Sequence, residues 1–183
     1  MTIQKDNYCN SKDTKFYKNF FNNKKNFYNK SHQGLYLSSI GMGMYKGDKF
    51  TDYEKLVKMS LKNGINVFDT ARKYRFGLSE LQLGKALNKI LKKKNFKRGC
   101  IFISSKAGLI CFPKKVRPKN YINEILIKKR GIRATSIINN FACYDKKFIE
   151  QEIEISLKKT NLKMIDNYYL HNPEFLLHKN KGN

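Results

Sequence analysis

The chain has 183 residues, 40% of them hydrophobic, which is enough for a packed core and excludes disorder along the whole length. Its 38 Lys and Arg against 14 Asp and Glu leave a formal charge of +24, a field that attracts polyanions. The basic residues are nearly all Lys and evenly spread, without the Arg clusters that fork phosphates and stack on bases, so no specific nucleic-acid partner is expected.

Residues 1–30 are rich in Lys, Asn and aromatics and show no steady period. They read as a low-complexity extension expected to be disordered, with the folded part over residues 31–183. A polar turn ending in Gly predicts a hairpin around residues 31–34, followed by a strand through Ile40. Thr51 and Glu54 make a capping box, Leu56, Val57 and Leu61 follow at helical spacing, and Gly64 stands where a left-handed cap is wanted. A strand over 65–68 comes next. Ser79 and Gln82 form a second capping box before Leu83, Leu87, Ile90 and Leu91, which share one helix face. Lys92, Lys93 and Lys94 suit the negative end of that helix. "CIFISSK" predicts a buried strand, Asp145 caps a helix expected to turn Ile149, Ile153 and Leu157 to the core, and "MIDNYYLH" predicts a final strand.

Such alternation of strand and helix implies βαβ units and a parallel sheet. Between Ala107 and Tyr144 the chain runs about forty residues before its third helix, too long for an ordinary connection. A functional lid or insertion is expected there, with a short helix over 121–129. Cys9, Cys100, Cys111 and Cys143 form no C-x-x-C pair, and His32, His171 and His178 lack zinc-site spacing, so reduced thiols and no metal are expected. No apolar run approaches the ~20 residues of a spanning helix, and the polar N-terminus has no signal-peptide h-region. A cytoplasmic protein with no membrane partner is the expectation.

In parallel α/β barrels the reacting groups sit at the C-terminal ends of strands. Asp69, Lys106 and His171 end three strands here, and Tyr74 lies in the loop after one of them. Gathered around one pocket, they suit reduction of a carbonyl by hydride, because the alkoxide that forms needs a proton. A phenol is a slow donor at neutral pH unless a cation stands at its oxygen. Lys106 can be that cation for Tyr74, Asp69 can hold the Lys charged and in place, and His171 can donate a hydrogen bond to the carbonyl oxygen. "GMGMYKG" has glycines but no helix opening among them, so it is not a Rossmann fingerprint.

The stretch "FDTARKYRFGLSE" resembles the F-D-T-A-x-x-Y-G-x-G-x-S-E signature of the aldo-keto reductases, and "FISSKAG" resembles their I-S-T-K-x-G strand end. "MIDNYYLHNPE" is similar to their I-D-x-Y-x-L-H-N-P, and "GLYLSSIGMGMY" to their hairpin and first strand. The four stretches span residues 34–174 in the family's order. The resemblance implies an α/β fold: a partial TIM (β/α)8 barrel of about four strand-helix units, preceded by the hairpin. It also implies an NADP (NADPH) or NADH cofactor bound without a Rossmann domain, and a small-molecule aldehyde or ketone as substrate. The family's catalytic tetrad falls on Asp69, Tyr74, Lys106 and His171. Gly43, Met44 and Asp69 fall on the cofactor side, Tyr45 and Asn172 on the substrate side.

Two departures from the family pattern stand out. Arg75 replaces the glycine that usually follows the catalytic Tyr, so that loop must accept a side chain and a positive charge. Met44 stands where Thr is common. The sequence also stops about where a fourth helix would start, whereas a whole barrel needs about 250 residues. The strands that hold most of the cofactor in the family lie beyond that point. The isolated chain is therefore expected to bind the cofactor incompletely and to be inactive alone. A complementary C-terminal half is one expected partner; a pseudoenzyme or basic binding module that keeps the half-barrel is the alternative function.

Overall fold

In the computed structural model, which describes residues 7–21, 26–47, 52–93 and 96–180, the first element is a helix, α1 (Ser11–Phe20). It occupies the segment expected to be disordered. Asn10 caps it by accepting from the Asp13 N–H at 2.9 Å, Asp13 and Lys18 complement its dipole, and Tyr17 buries and donates its hydroxyl to the Leu61 carbonyl at 2.5 Å. Its buried stripe is Asp13, Thr14 and Tyr17, so no apolar period betrays it.

The hairpin expected near 31–34 is present: β1 (Tyr28–Lys30) pairs antiparallel with β2 (Tyr36–Ser38), and Gly34 takes a φ of 78° in the turn. The first strand of the main sheet is not the run ending at Ile40 but β3 (Met42–Gly43) just beyond it. Helix α2 (Tyr53–Lys62) follows, capped by Asp52, which accepts from the Lys55 N–H at 2.9 Å. Thr51, expected in that role, lies outside the described residues. Val57 and Leu61 are buried, Leu56 is exposed, and Gly64 has the expected positive φ of 88°. Then come β4 (Val67–Asp69), a tight turn at Tyr74–Gly77, and α3 (Leu78–Lys92).

The capping box expected at Ser79 and Gln82 does not form. Gly77 is the cap residue, Ser79 Oγ donates to the Met44 carbonyl at 2.8 Å, and Gln82 accepts from Arg75. Leu83, Leu87 and Ile90 are buried as their spacing predicts. Strand β5 (Phe102–Ala107) leads into the long connection, which holds α4 (Pro118–Tyr121), a π-helical stretch at Ile122–Lys129, and a small antiparallel ladder of β6 (Ile137–Ile138) with β7 (Ala142–Cys143). Asp145 caps α5 (Lys146–Thr160) as expected. The buried face of α5, however, is Phe148, Glu152, Ser156 and Thr160, one position away from the expected Ile149, Ile153 and Leu157. Strand β8 (Asn167–Leu170) completes a four-stranded parallel sheet in the order β3-β4-β5-β8.

The register sorts the two faces of this sheet. Phe68 of β4 and Ile103 of β5 pair and point to the helices, where Val57, Leu61, Leu83 and Leu87 cover them; all six are wholly buried. The opposite face carries Asp69, Ser104 and Lys106, because side chains alternate along a strand. Among the described residues no helix is long and apolar enough to cross a membrane.

Candidate active site

Parallel pairing sets Gly43, Asp69, Ser104 and Asn167 side by side across the sheet, and Lys106 lies two residues beyond Ser104 on the same face. Lys106 Nζ stands 2.5 Å from Asp69 Oδ2, 2.8 Å from the Thr70 carbonyl and 3.1 Å from the Tyr74 hydroxyl. Ser104 Oγ donates to the other Asp69 oxygen at 2.7 Å. The carboxylate is therefore held at both oxygens and the ammonium is aimed at the phenol.

Tyr74 is reached through the turn after β4. Its ring meets that of Tyr45 at 4.9 Å and that of His171 at 5.5 Å, both edge to face. His171 directly follows β8, and its N–H donates to the Ala107 carbonyl at 2.7 Å, extending the ladder to the imidazole. The single proton of the Tyr144 hydroxyl faces the carbonyls of His171 and Asn172, at 2.8 and 2.5 Å. That phenol is pushed up to about 12 by burial and by Glu174, so it stays a donor. His171 is shifted down from the usual imidazole value, first by burial and then by the Lys106 and Lys73 ammoniums. Its Nδ1 is buried and has no hydrogen-bond partner among the described residues.

All four residues expected to be catalytic thus meet at one end of the sheet. They open on a cleft of ≈ 530 Å³ walled by Tyr45, Tyr74, Phe76, Phe112, His171 and Asn172, with Lys73 and Arg75 also on its lining. Gly43 is exposed at the strand end, and a Cβ there would meet nothing within 4 Å. Met44 is placed differently from the expectation. Its side chain is fully buried in the core, and only its backbone lies at the strand end, donating to the Asp69 carbonyl at 2.9 Å. Asn172 lines the cleft while its amide donates to Glu174 at 2.7 Å.

Arg75 and Phe76 both take left-handed backbone, with φ of 51° and 59°. At Arg75 this is the conformation a glycine would adopt freely. The Arg75 guanidinium donates to the Tyr53 hydroxyl at 2.6 Å and to Gln82, which ties the turn to α2 and α3. Sequence reasoning missed Ser104, although its place two residues before Lys106 on one face was a usable signal. It missed Lys73 as well, which nothing distinguishes among so many lysines. The long connection supplies Leu109, Cys111 and Phe112 to the cleft wall. No group of three or more His, Cys, Asp or Glu suited to a metal occurs among the described residues.

The profile of the family described as "Aldo/keto reductase family" matches residues 39–179. Among solved structures, the holo form of an aldo-keto reductase from Bacillus halodurans matches with a TM-score of 0.52 and 26% identity, covering 77% of this chain and 40% of that one. A protein from Pseudomonas aeruginosa, described as an aldo-keto reductase, matches with a TM-score of 0.55 and 20% identity over 82% of this chain and 51% of its own, a likeness of fold. The chain thus spans roughly half the length of these structures or less.

Proposed function

Since the chain belongs to the aldo/keto reductase family, with the parallel α/β architecture of part of its barrel, we propose that it reduces an aldehyde or ketone to an alcohol, with Tyr74 as proton donor and NADPH as hydride source. The observation that carries this reading is the Lys106 ammonium, 2.5 Å from Asp69 and 3.1 Å from the Tyr74 hydroxyl.

The strand ends fit the reacting end of a nicotinamide cofactor, which when bound supplies hydride. Gly43 offers backbone with open space in front of it, Asp69 and the Met44 backbone lie beside it, and the cleft is within the ~300–1,000 Å³ range of small-molecule sites. Against a carbonyl in the cleft, the Tyr74 hydroxyl gives up its proton to the oxygen as negative charge develops there. Lys106 stabilises the phenolate left behind, and Asp69, itself held by Ser104, fixes the ammonium so that it need not reorganise during the step. His171, kept neutral by burial and by the two lysines, orients the carbonyl oxygen through a hydrogen bond. Tyr45 and Asn172 bound the substrate, and the aromatic walls offer apolar surface to its body.

The test is consumption of NADPH, with aromatic and aliphatic aldehydes, by the purified protein alone and combined with the C-terminal half of an aldo-keto reductase. Tyr74→Phe should lower turnover by ~10²- to 10⁴-fold with little change in cofactor affinity. Turnover close to wild type in that variant removes Tyr74 from the reaction. Absence of NADPH consumption by the protein alone is what incomplete cofactor binding predicts; absence with a complementary C-terminal half added would favour the pseudoenzyme.

A further inference from the structure

Most lysines among the described residues are exposed; Lys18, Lys73 and Lys106 are only half so. Lys106 has Asp69 as its counter-charge. Lys18 lies over the Tyr36 ring at 4.7 Å, away from the cleft. Lys73 is the unusual one. It lines the cleft one residue before Tyr74, its Nζ sits 3.5 Å from the centroid of the Phe141 ring, and it makes no ion pair among the described residues.

The neighbouring acids are already engaged. Asp69 is held by Lys106 and Ser104, and Glu174 accepts from Asn172. No Asp or Glu appears among the described residues lining the cleft. Burial shifts Lys73 down from the usual ammonium value, so its charge is poorly compensated where it stands. An aromatic face offsets only part of that cost. An anion placed in the cleft would supply the missing counter-charge, and the surrounding Lys106 and the Lys114 ammonium, 5.5 Å from the Phe76 ring, add to the same field.

We infer that the cleft selects carbonyl compounds bearing an anionic group, a carboxylate or a phosphate, on a flat or apolar body, with Lys73 as the residue that pairs the anion. Tyr45, Phe76 and Phe112 supply the apolar walls for that body. The inference rests on the reading of the cleft as a carbonyl site. It adds a specificity determinant that acts on binding, not on the proton transfer.

Binding of para-carboxybenzaldehyde and of its uncharged near-isostere para-formylbenzamide, measured by calorimetry without turnover, tests it. The carboxylate should bind roughly tenfold more tightly than the amide, a gap of about 1.4 kcal/mol. Lys73→Met and Lys73→Gln should each close that gap, Lys73→Arg should keep it, and added salt should narrow it. Equal binding of the two probes by the unaltered protein, or a gap that survives in a folded Lys73→Met or Lys73→Gln variant, overturns the inference. A protein that binds the carboxylate selectively but never reduces it, even with a complementary C-terminal half added, keeps the inference and loses the reductase reading. One that reduces both aldehydes with equal KM does the reverse.

Discussion

The imidazole of His171 sits where two ammoniums and partial burial all disfavour its protonation. Its midpoint in the folded protein should therefore fall below 6.5, the ordinary value, and Lys106→Met, by removing one of the two ammoniums, should move it upward. The link to stability follows from the direction of the shift. The unfolded chain takes up the proton first, so the contribution of His171 is fully present above 6.5 and is lost as pH falls from there toward the folded midpoint. Imidazole proton shifts followed by NMR against pH check both points. A midpoint at or above 6.5, or one unmoved in Lys106→Met, would mean that the site leaves His171 free to charge near neutrality.

At the scale of elements, Gly84 of α3 lies directly against the backbone of Thr160 at the end of α5. A Cβ there would stand 2.2 Å from the Thr160 carbonyl oxygen and 2.5 Å from its Cα, which is backbone and cannot step aside. Gly→Ala inside a helix ordinarily stabilises by up to about 1 kcal/mol. Gly84→Ala should reverse that sign and cost about 1–3 kcal/mol, as overpacking does. Urea denaturation checks it, and a stabilised variant would show that the helices separate without cost. What each helix buries decides which elements could be read from the sequence. α2 and α3 bury Val57, Leu61, Leu83 and Leu87, whose apolar period is plain. α5 buries Glu152, Ser156 and Thr160, so the eye follows the isoleucines to the wrong face. The convergence of Asp69, Tyr74, Lys106 and His171 was legible because Asp69 closes, Lys106 nearly closes and His171 follows a recognisable strand. Lys73 was not, since its burial is set by Phe141, which comes to it only through the folded long connection.

Across the whole molecule, one buried ionic network joins four separate parts of the chain. Arg72, after β4, donates to Glu80 of α3 at 3.1 Å and to Glu152 of α5 at 2.8 Å, and Arg130 of the long connection reaches the other oxygen of Glu152 at 2.9 Å. Glu80 also accepts from Ser105 of β5 at 2.7 Å. Burial alone would lower the Arg72 pKa, but Glu152 and Glu80 reverse the direction and keep the guanidinium charged. Glu152 is 2% exposed, so Glu152→Gln would leave the Arg130 guanidinium facing a neutral amide and Arg72 with Glu80 alone. Breaking such a pair costs about 3–5 kcal/mol. A melting temperature lowered by roughly 6–20 °C follows at ~2–4 °C per kcal/mol. Thermal unfolding by circular dichroism checks this, and an unchanged midpoint would mean that the network sets geometry without holding the fold.

The feet of the long connection are zipped together beside the site. Ile110 donates to the Phe141 carbonyl at 2.8 Å, Cys143 donates to the Gly108 carbonyl at 2.7 Å, and Tyr144 closes on the strand end carrying His171. A loop whose ends are already joined pays its closure entropy at the base, and each doubling of its length then adds only ~0.6 kcal/mol. Between the feet, insertions and changes in the exposed stretch 113–120 therefore cost little, whereas Ile122, Leu126 and Ile132 are packed into a core and Arg130 is held by Glu152. Phe112 and Phe141, near those feet, border the cleft and the Lys73 ammonium respectively. Evolution thus has a place to retune what the pocket accepts without disturbing Asp69, Tyr74, Lys106 and His171.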